Sequence, residues 1–211
     1  MDKDYWVKRW ENKELAFHQA AANHLLVKYF QSLPLQQGSR VLVPLCGKTL
    51  DIGWLLSCGY SVVGIELAKS AVEELFVELE LEPIVEKMGD VLHYKSDNID
   101  IYVGDIFDVT RELVGDVNAV YDRAALIALP ETMQQNYADH LIKISKCAPQ
   151  FLITIEYDET KLDGPPFSIR PDAVNKYYQG HFEIEKVTTE TVADGLRGVE
   201  ATERVWVLQP K

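Results

Sequence analysis

Between residues 40 and 157, five short apolar runs rich in β-branched residues are interleaved with stretches of helical periodicity. The runs are Arg40–Leu45, Ser61–Ile65, Asn98–Val103, Asn118–Tyr121 and Gln150–Glu156, and Leu50–Ser57, Ser70–Leu79 and Met133–Cys147 read as helices. Short continuous apolar runs are what strands buried on both faces look like. Their alternation with helices calls for right-handed crossovers and a largely parallel sheet covered on both sides. Gly59 is placed as a helix C-cap, and Ser70 as an N-cap with Glu73 at capping-box spacing. After the loop Leu162–Pro166 and a helix around Asp172–Tyr178, the strands Phe182–Thr188 and Arg204–Leu208 follow with no helix between them. They are expected to close one end of the sheet as an antiparallel hairpin.

The 211 residues fit one domain, 1–211, in which residues 1–35 form an N-terminal helical segment. Trp6 and Trp10 stand four apart there and share a helix face. With 21 basic against 33 acidic residues the net charge is −12, which repels nucleic acid and anionic membranes and leaves a small molecule as the expected partner. Three cysteines at irregular spacing, with no CxxC pair, give neither a zinc site nor a disulfide framework, and no metal is expected. The start has no apolar signal region and no window approaches a membrane span, so the chain is expected to be cytoplasmic. No long apolar stripe demands a partner, and a monomer is expected.

In an open α/β sheet, ligands bind outside the carboxyl ends of the strands. After the first run comes Pro44-Leu-Cys-Gly-Lys48, with Gly47 alone where a pyrophosphate loop needs several glycines. That argues against a nicotinamide dinucleotide and for a smaller, less anionic ligand. Glu66 follows the second run, about twenty residues on, where an acidic residue receives ribose hydroxyls; alone, it would equally be a helix-start carboxylate offsetting the macrodipole. Gly104-Asp105-Ile106 follows the third run, placed to hold the edge and face of an adenine or simply to turn. Asp122-Arg123 follows the fourth: either a neighbouring ion pair, or an arginine that steers an anionic group.

Together these strings resemble the thiopurine S-methyltransferase family, in its bacterial form, nearly end to end. The resemblance runs from Trp6, Trp10 and Ala16-Phe17-His18-Gln19 through Arg40–Lys48, Val62–Glu66, Ile106-Phe107-Asp108 and Asp122–Leu126 to Gly164-Pro-Pro-Phe167. It implies a class I, Rossmann-like α/β fold with a mostly parallel seven-stranded sheet, a C-terminal antiparallel hairpin and an N-terminal helical lid. It implies S-adenosylmethionine as methyl donor, with S-adenosylhomocysteine as product. By position, Trp10, Leu45, Glu66 and Arg123 are expected to contact the donor, Asp105 and Ile106 to flank its adenine, and Phe17 to line the acceptor pocket. Animal members carry a serine at the position of Asp105.

Such a family methylates aromatic or heterocyclic thiols. These ionise readily, so alignment of nucleophile, methyl and leaving group needs no dedicated base. No catalytic base is assigned: His18, beside Phe17, is either a proton relay or a structural histidine, and Asp122 is undecided in the same way. Cys46 reads as packing. The loops at Gly164–Phe167 and Gly195–Gly198 are candidates to cover the acceptor. The same scaffold also admits halide, bisulfide or selenium and tellurium acceptors, or a non-catalytic protein that binds S-adenosylmethionine.

Overall fold

A computed structural model describes residues 3–13 and 19–211. The strands are β1 (Arg40–Pro44), β2 (Ser61–Glu66), β3 (Ile84–Met88), β4 (Val91–Ser96), β5 (Ile99–Val103), β6 (Ala119–Arg123), β7 (Gln150–Tyr157), β8 (Phe182–Thr191) and β9 (Ala201–Pro210). The helices are α1 (Lys3–Glu11), α2 (His24–Tyr29), α3 (Leu50–Ser57), α4 (Lys69–Glu78), α5 (Arg111–Val114), α6 (Glu131–Ser145) and α7 (Pro171–Tyr178). One sheet runs in the order β3-β4-β5-β2-β1-β6-β7-β9-β8. Its central pairs β5-β2, β2-β1, β1-β6 and β6-β7 are parallel, and β9 and β8 close one end antiparallel.

The sheet has nine strands rather than the expected seven, because an antiparallel hairpin, β3-β4, is added beside β5. Met88 pairs with Val91 across a two-residue Gly89-Asp90 loop with Gly89 at φ 64°. Glycine adopts that geometry without steric cost, and Gly-Asp is a recognised hairpin signal. Every residue of β3 is exposed, so the strand lacks the apolar run that marks the central strands.

The capping box at Ser70 does not form: α4 begins at Lys69, with Ala68 at the N-cap and no side-chain cap. Glu66 takes the Ala68 N–H instead, at 2.8 Å. Met133–Cys147 is also shortened at its end, since α6 stops at Ser145 and Lys146 and Cys147 are both left-handed, at φ 54° and 55°.

Strand alternation splits the core between the two faces. Val41, Val43, Tyr121, Phe151, Ile153, Val205 and Val207 pack with α2 and α3 on one face. Leu42, Val120, Leu152, Trp206 and Leu208 pack with α6 and α7 on the other. Fully burying a side chain of this size contributes about 1.5–3 kcal/mol, which is why β1 and β6 read so plainly as central strands.

Candidate functional site

The site is built where β1, β2, β5 and β6 end. Beyond Pro44 the chain turns back sharply: Leu45 is left-handed at φ 46° and Gly47 at φ 52°, while Cys46 N–H still bonds the Ile65 carbonyl at 3.0 Å. A left-handed leucine costs about 1–2 kcal/mol, strain of the kind found at binding sites. It turns the backbone N–H of Gly47 onto Glu66, where it donates to Oε2 at 2.7 Å.

Glu66 is buried, and both its carboxylate oxygens hold backbone, Oε2 the Gly47 N–H and Oε1 the Ala68 N–H. Burial raises its pKa and these N–H groups oppose the rise. Each carboxylate oxygen has a second acceptor position, so Glu66 keeps capacity for two hydroxyl donors.

Trp10 lies across Gly47. A Cβ on that glycine would stand 2.6 Å from the indole Cζ2, and the indole also packs on Ala68 and Ala71 at the start of α4. Cys46 is buried against Gly64, where an added Cβ would meet its Sγ at 2.9 Å, and burial raises its thiol pKa. This is the packing role expected of it.

Past β5, the Asp105 carboxylate accepts the Phe107 N–H at 2.9 Å and starts a short 3-10 turn, Ile106–Asp108, that buries Ile106. At the end of β6 the neighbours Asp122 and Arg123 are sent to opposite faces by the strand's alternation. Asp122 is buried away from the cavity, accepting Tyr137 Oη–H at 2.7 Å and Leu126 N–H at 3.1 Å. Its burial raises the carboxyl pKa to about 6. Arg123 stays on the cavity side, and Ala124 turns the chain at φ 64°.

These pieces enclose a cavity of about 600 Å³, a size at which small-molecule sites bury most of a ligand. Trp10, Leu45, Glu66, Asp105, Ile106 and Arg123 all line it. Phe17 and His18 lie outside the described residues. Trp6 joins Trp10 in the lining, as their shared helix face predicts. Both loops expected near the acceptor line the cavity, through Pro165, Pro166, Leu196 and Arg197, and Arg197 Nη2 donates to the Pro165 carbonyl at 3.1 Å.

Two lining features carry no assignment from the sequence. Asp51, buried in the first turn of α3, accepts Tyr121 Oη–H at 2.9 Å and Asn23 N–H at 2.7 Å. The other is Glu203, on β9. A signal for it exists: 203, 205 and 207 alternate along one strand, so Glu203 follows Val205 and Val207 onto an inward face.

The donor implied by the sequence fits this chamber. Glu66 offers two acceptor positions for a ribose, Asp105 and the buried Ile106 offer an edge and a face for a base, and Trp10 closes over Gly47. Among the described residues no group of acidic, His or Cys side chains is arranged to hold a metal.

Fold and site together define a class I S-adenosylmethionine-dependent methyltransferase. Solved structures agree on the fold. An S-adenosylmethionine-dependent methyltransferase from Anabaena variabilis superposes with a TM-score of 0.66 at 14% identity, covering 99% of this chain and 95% of that one. A Burkholderia thailandensis 1,6-didemethyltoxoflavin-N1-methyltransferase, solved with S-adenosylhomocysteine, gives 0.67 at 12% identity over 98% and 87%. Residues 1–210 match the thiopurine S-methyltransferase family, and the chain belongs to it. Thiopurine S-methyltransferases from Teredinibacter turnerae and Xanthobacter autotrophicus are each 46% identical to it. The alignments cover 99% of this chain with 97% of the first relative and 99% of the second.

Proposed function

We propose that this protein transfers a methyl group from S-adenosylmethionine to the sulfur of aromatic or heterocyclic thiols. The observation that carries this reading is that one cavity runs across the strand ends: Glu66 and Asp105 reach it from β2 and β5, and Ile155 reaches it from β7, three strands from β2 in the sheet. One ligand's polar ribose and base and a second ligand's apolar ring thus share a single chamber.

On this reading, Glu66 receives the ribose hydroxyls of the donor. Trp10, Leu45 and Arg123 contact it, and Asp105 and Ile106 flank its adenine. Phe17 lines the acceptor pocket. The bound donor supplies an activated methyl on a sulfonium centre. The chain's own residues supply alignment, which is worth up to about 7–11 kcal/mol in favourable systems. Trp6 and Trp10 on α1 act as an aromatic lid, where a ring face near a sulfonium gains about 0.5–2 kcal/mol. Residues 1–211 work as one domain. The protein acts as a cytoplasmic monomer on a small-molecule thiol, with neither nucleic acid nor membrane as a partner. In support of the last point, no helix among the described residues is long and apolar enough to cross a membrane.

Titration calorimetry with S-adenosylhomocysteine, with NAD as control, tests the donor site: stoichiometric binding of the first and none of the second is expected. A turnover panel of a heterocyclic thiol, an aryl thiol, halide, bisulfide and selenium or tellurium species then tests the acceptor. Turnover of the inorganic acceptors alone would overturn the thiol assignment, and donor binding without any turnover would leave a sensor.

A further inference from the structure

On the β9 wall of the cavity one carboxylate has no described hydrogen-bond partner. Glu203 sits on β9 opposite Ile155 of β7 and Glu190 of β8. Its side chain faces the same way as Val205 and Val207, into the cavity, among Ile153, Ile155 and Leu196. Its neighbours on β9 and β7 do otherwise: Arg204 and Glu156 pair with each other. Glu190 is likewise engaged, by His24 at 3.1 Å, Lys28 at 3.2 Å and Tyr29 at 3.2 Å. Among the described residues Glu203 is thus a half-buried carboxylate with no hydrogen bond or ion pair, on the wall of the same cavity as Glu66.

The charges that face it are Arg123 from β6, His24 from α2 and Glu190 from β8; β7 presents Phe151, Ile153, Ile155 and the phenol of Tyr157 on this face. Burial raises the Glu203 pKa above the usual carboxylate value, Arg123 and His24 lower it, and Glu190 raises it. A carboxylate with raised pKa in an apolar cleft, facing a cation, is the arrangement of a general base.

We propose that Glu203 is the proton acceptor of the reaction, taking the N–H or S–H proton of a neutral heterocyclic thione or thiol while Arg123 offsets the charge on the acceptor. This rests on the thiol-methylation reading above. In the balanced step the acceptor's sulfur lone pair forms the new S–CH₃ bond. The donor's S–CH₃ bond breaks with its electron pair left on the sulfur of S-adenosylhomocysteine, and the acceptor's proton passes to the Glu203 carboxylate and then to water. Acceptors that are already thiolates have no proton to give and do not use Glu203. The protein's range therefore extends to weakly acidic thiones that alignment alone would leave unreactive.

The test compares Glu203→Gln with wild type on two acceptors, a thione that is neutral at the assay pH and an aryl thiol acidified by ring substituents until it is fully thiolate. S-adenosylhomocysteine affinity and melting temperature are followed in parallel. With the neutral acceptor, kcat/KM is expected to fall at least about 100-fold in the variant and to lose its rise with pH through the Glu203 ionisation. With the thiolate it stays within a few-fold. An equal loss on both acceptors, or an unchanged acid limb, overturns the proposal. Should Glu203→Gln fail to fold, Glu203→Asp carries the test: it keeps the acid limb and slows only the neutral acceptor, and equal slowing overturns the proposal. If wild type binds S-adenosylhomocysteine but methylates neither thiol, the thiol reading falls and this proposal with it.

Discussion

The hydroxyl of Tyr121 donates to the carboxylate of Asp51 at 2.9 Å, and that carboxylate's other oxygen accepts the backbone N–H of Asn23 at 2.7 Å. One buried acid thus ties the central strand β6, the helix α3 and the start of α2. Asn23 itself caps α2, its side-chain oxygen accepting from Leu25 N–H and Leu26 N–H. The start of α2 is therefore anchored through Asp51 to the sheet below the cavity.

Tyr121→Phe removes one donor and leaves a buried carboxylate oxygen short of a partner. The expected cost is about 1–3 kcal/mol of stability, read as a drop in the denaturant midpoint at unchanged m-value. S-adenosylhomocysteine affinity should change less than in a Glu66 variant. A midpoint equal to wild type would show that water replaces the tyrosine.

For Glu66 the demand is stricter, because both oxygens already accept backbone N–H groups. Glu66→Gln turns an NH₂ toward one of those donors and removes the charge from the ribose contacts. Calorimetry should show S-adenosylhomocysteine binding weakened at least about 10-fold, since charge-assisted hydrogen bonds are worth about 1.5–3 kcal/mol each. Unchanged affinity would remove the ribose assignment.

Gly47 is constrained twice, by φ 52° and by the Trp10 ring 2.6 Å from a would-be Cβ. Gly47→Ala should push Trp10 off the loop, at a cost of about 1–3 kcal/mol from overpacking alone. Tryptophan fluorescence should shift toward that of exposed indole and donor affinity should fall. An unshifted spectrum would show that the lid does not rest on this glycine.

Asp122 gives a pH signature. Its carboxyl is raised by burial from 3.8 to about 6, so the folded state binds that proton more tightly than the unfolded one. Its contribution to stability is therefore complete below pH 3.8 and is lost as pH rises through about 6. The corresponding magnitude is up to about 3 kcal/mol. The stability of wild type minus that of Asp122→Asn should decline across that window, followed by urea melts at several pH values. A flat difference would place the proton elsewhere.

Much of the site is legible in the amino-acid sequence. Glu66, Asp105, Ile106 and Arg123 follow strands whose apolar runs are unmistakable, and in a parallel α/β sheet the residues after the strands face the ligand. Leu45 and Trp10 are marked by the family strings, and the cavity gathers both. What the sequence does not reveal has physical causes. β3 is exposed at every residue, so its only sequence signal is the Gly89-Asp90 turn. Ser70 has the letters of a capping box, but Glu66, four residues upstream, reaches the N-terminus of α4 first.

The sequence by itself determined the alternating architecture, the central strands, the family and the residues after the strands that gather in the cavity, because periodicity and local strings are properties of adjacent residues. Tertiary structure alone decided that Asp122 meets Tyr137 while Arg123 meets the cavity, that Asp51 is held by Tyr121 and Asn23, and that the inward face of β9 carrying Glu203 lines this cavity. The contacts of Asp122 and Asp51 join residues 15 to 70 positions apart. Nothing local to those residues encodes that distance.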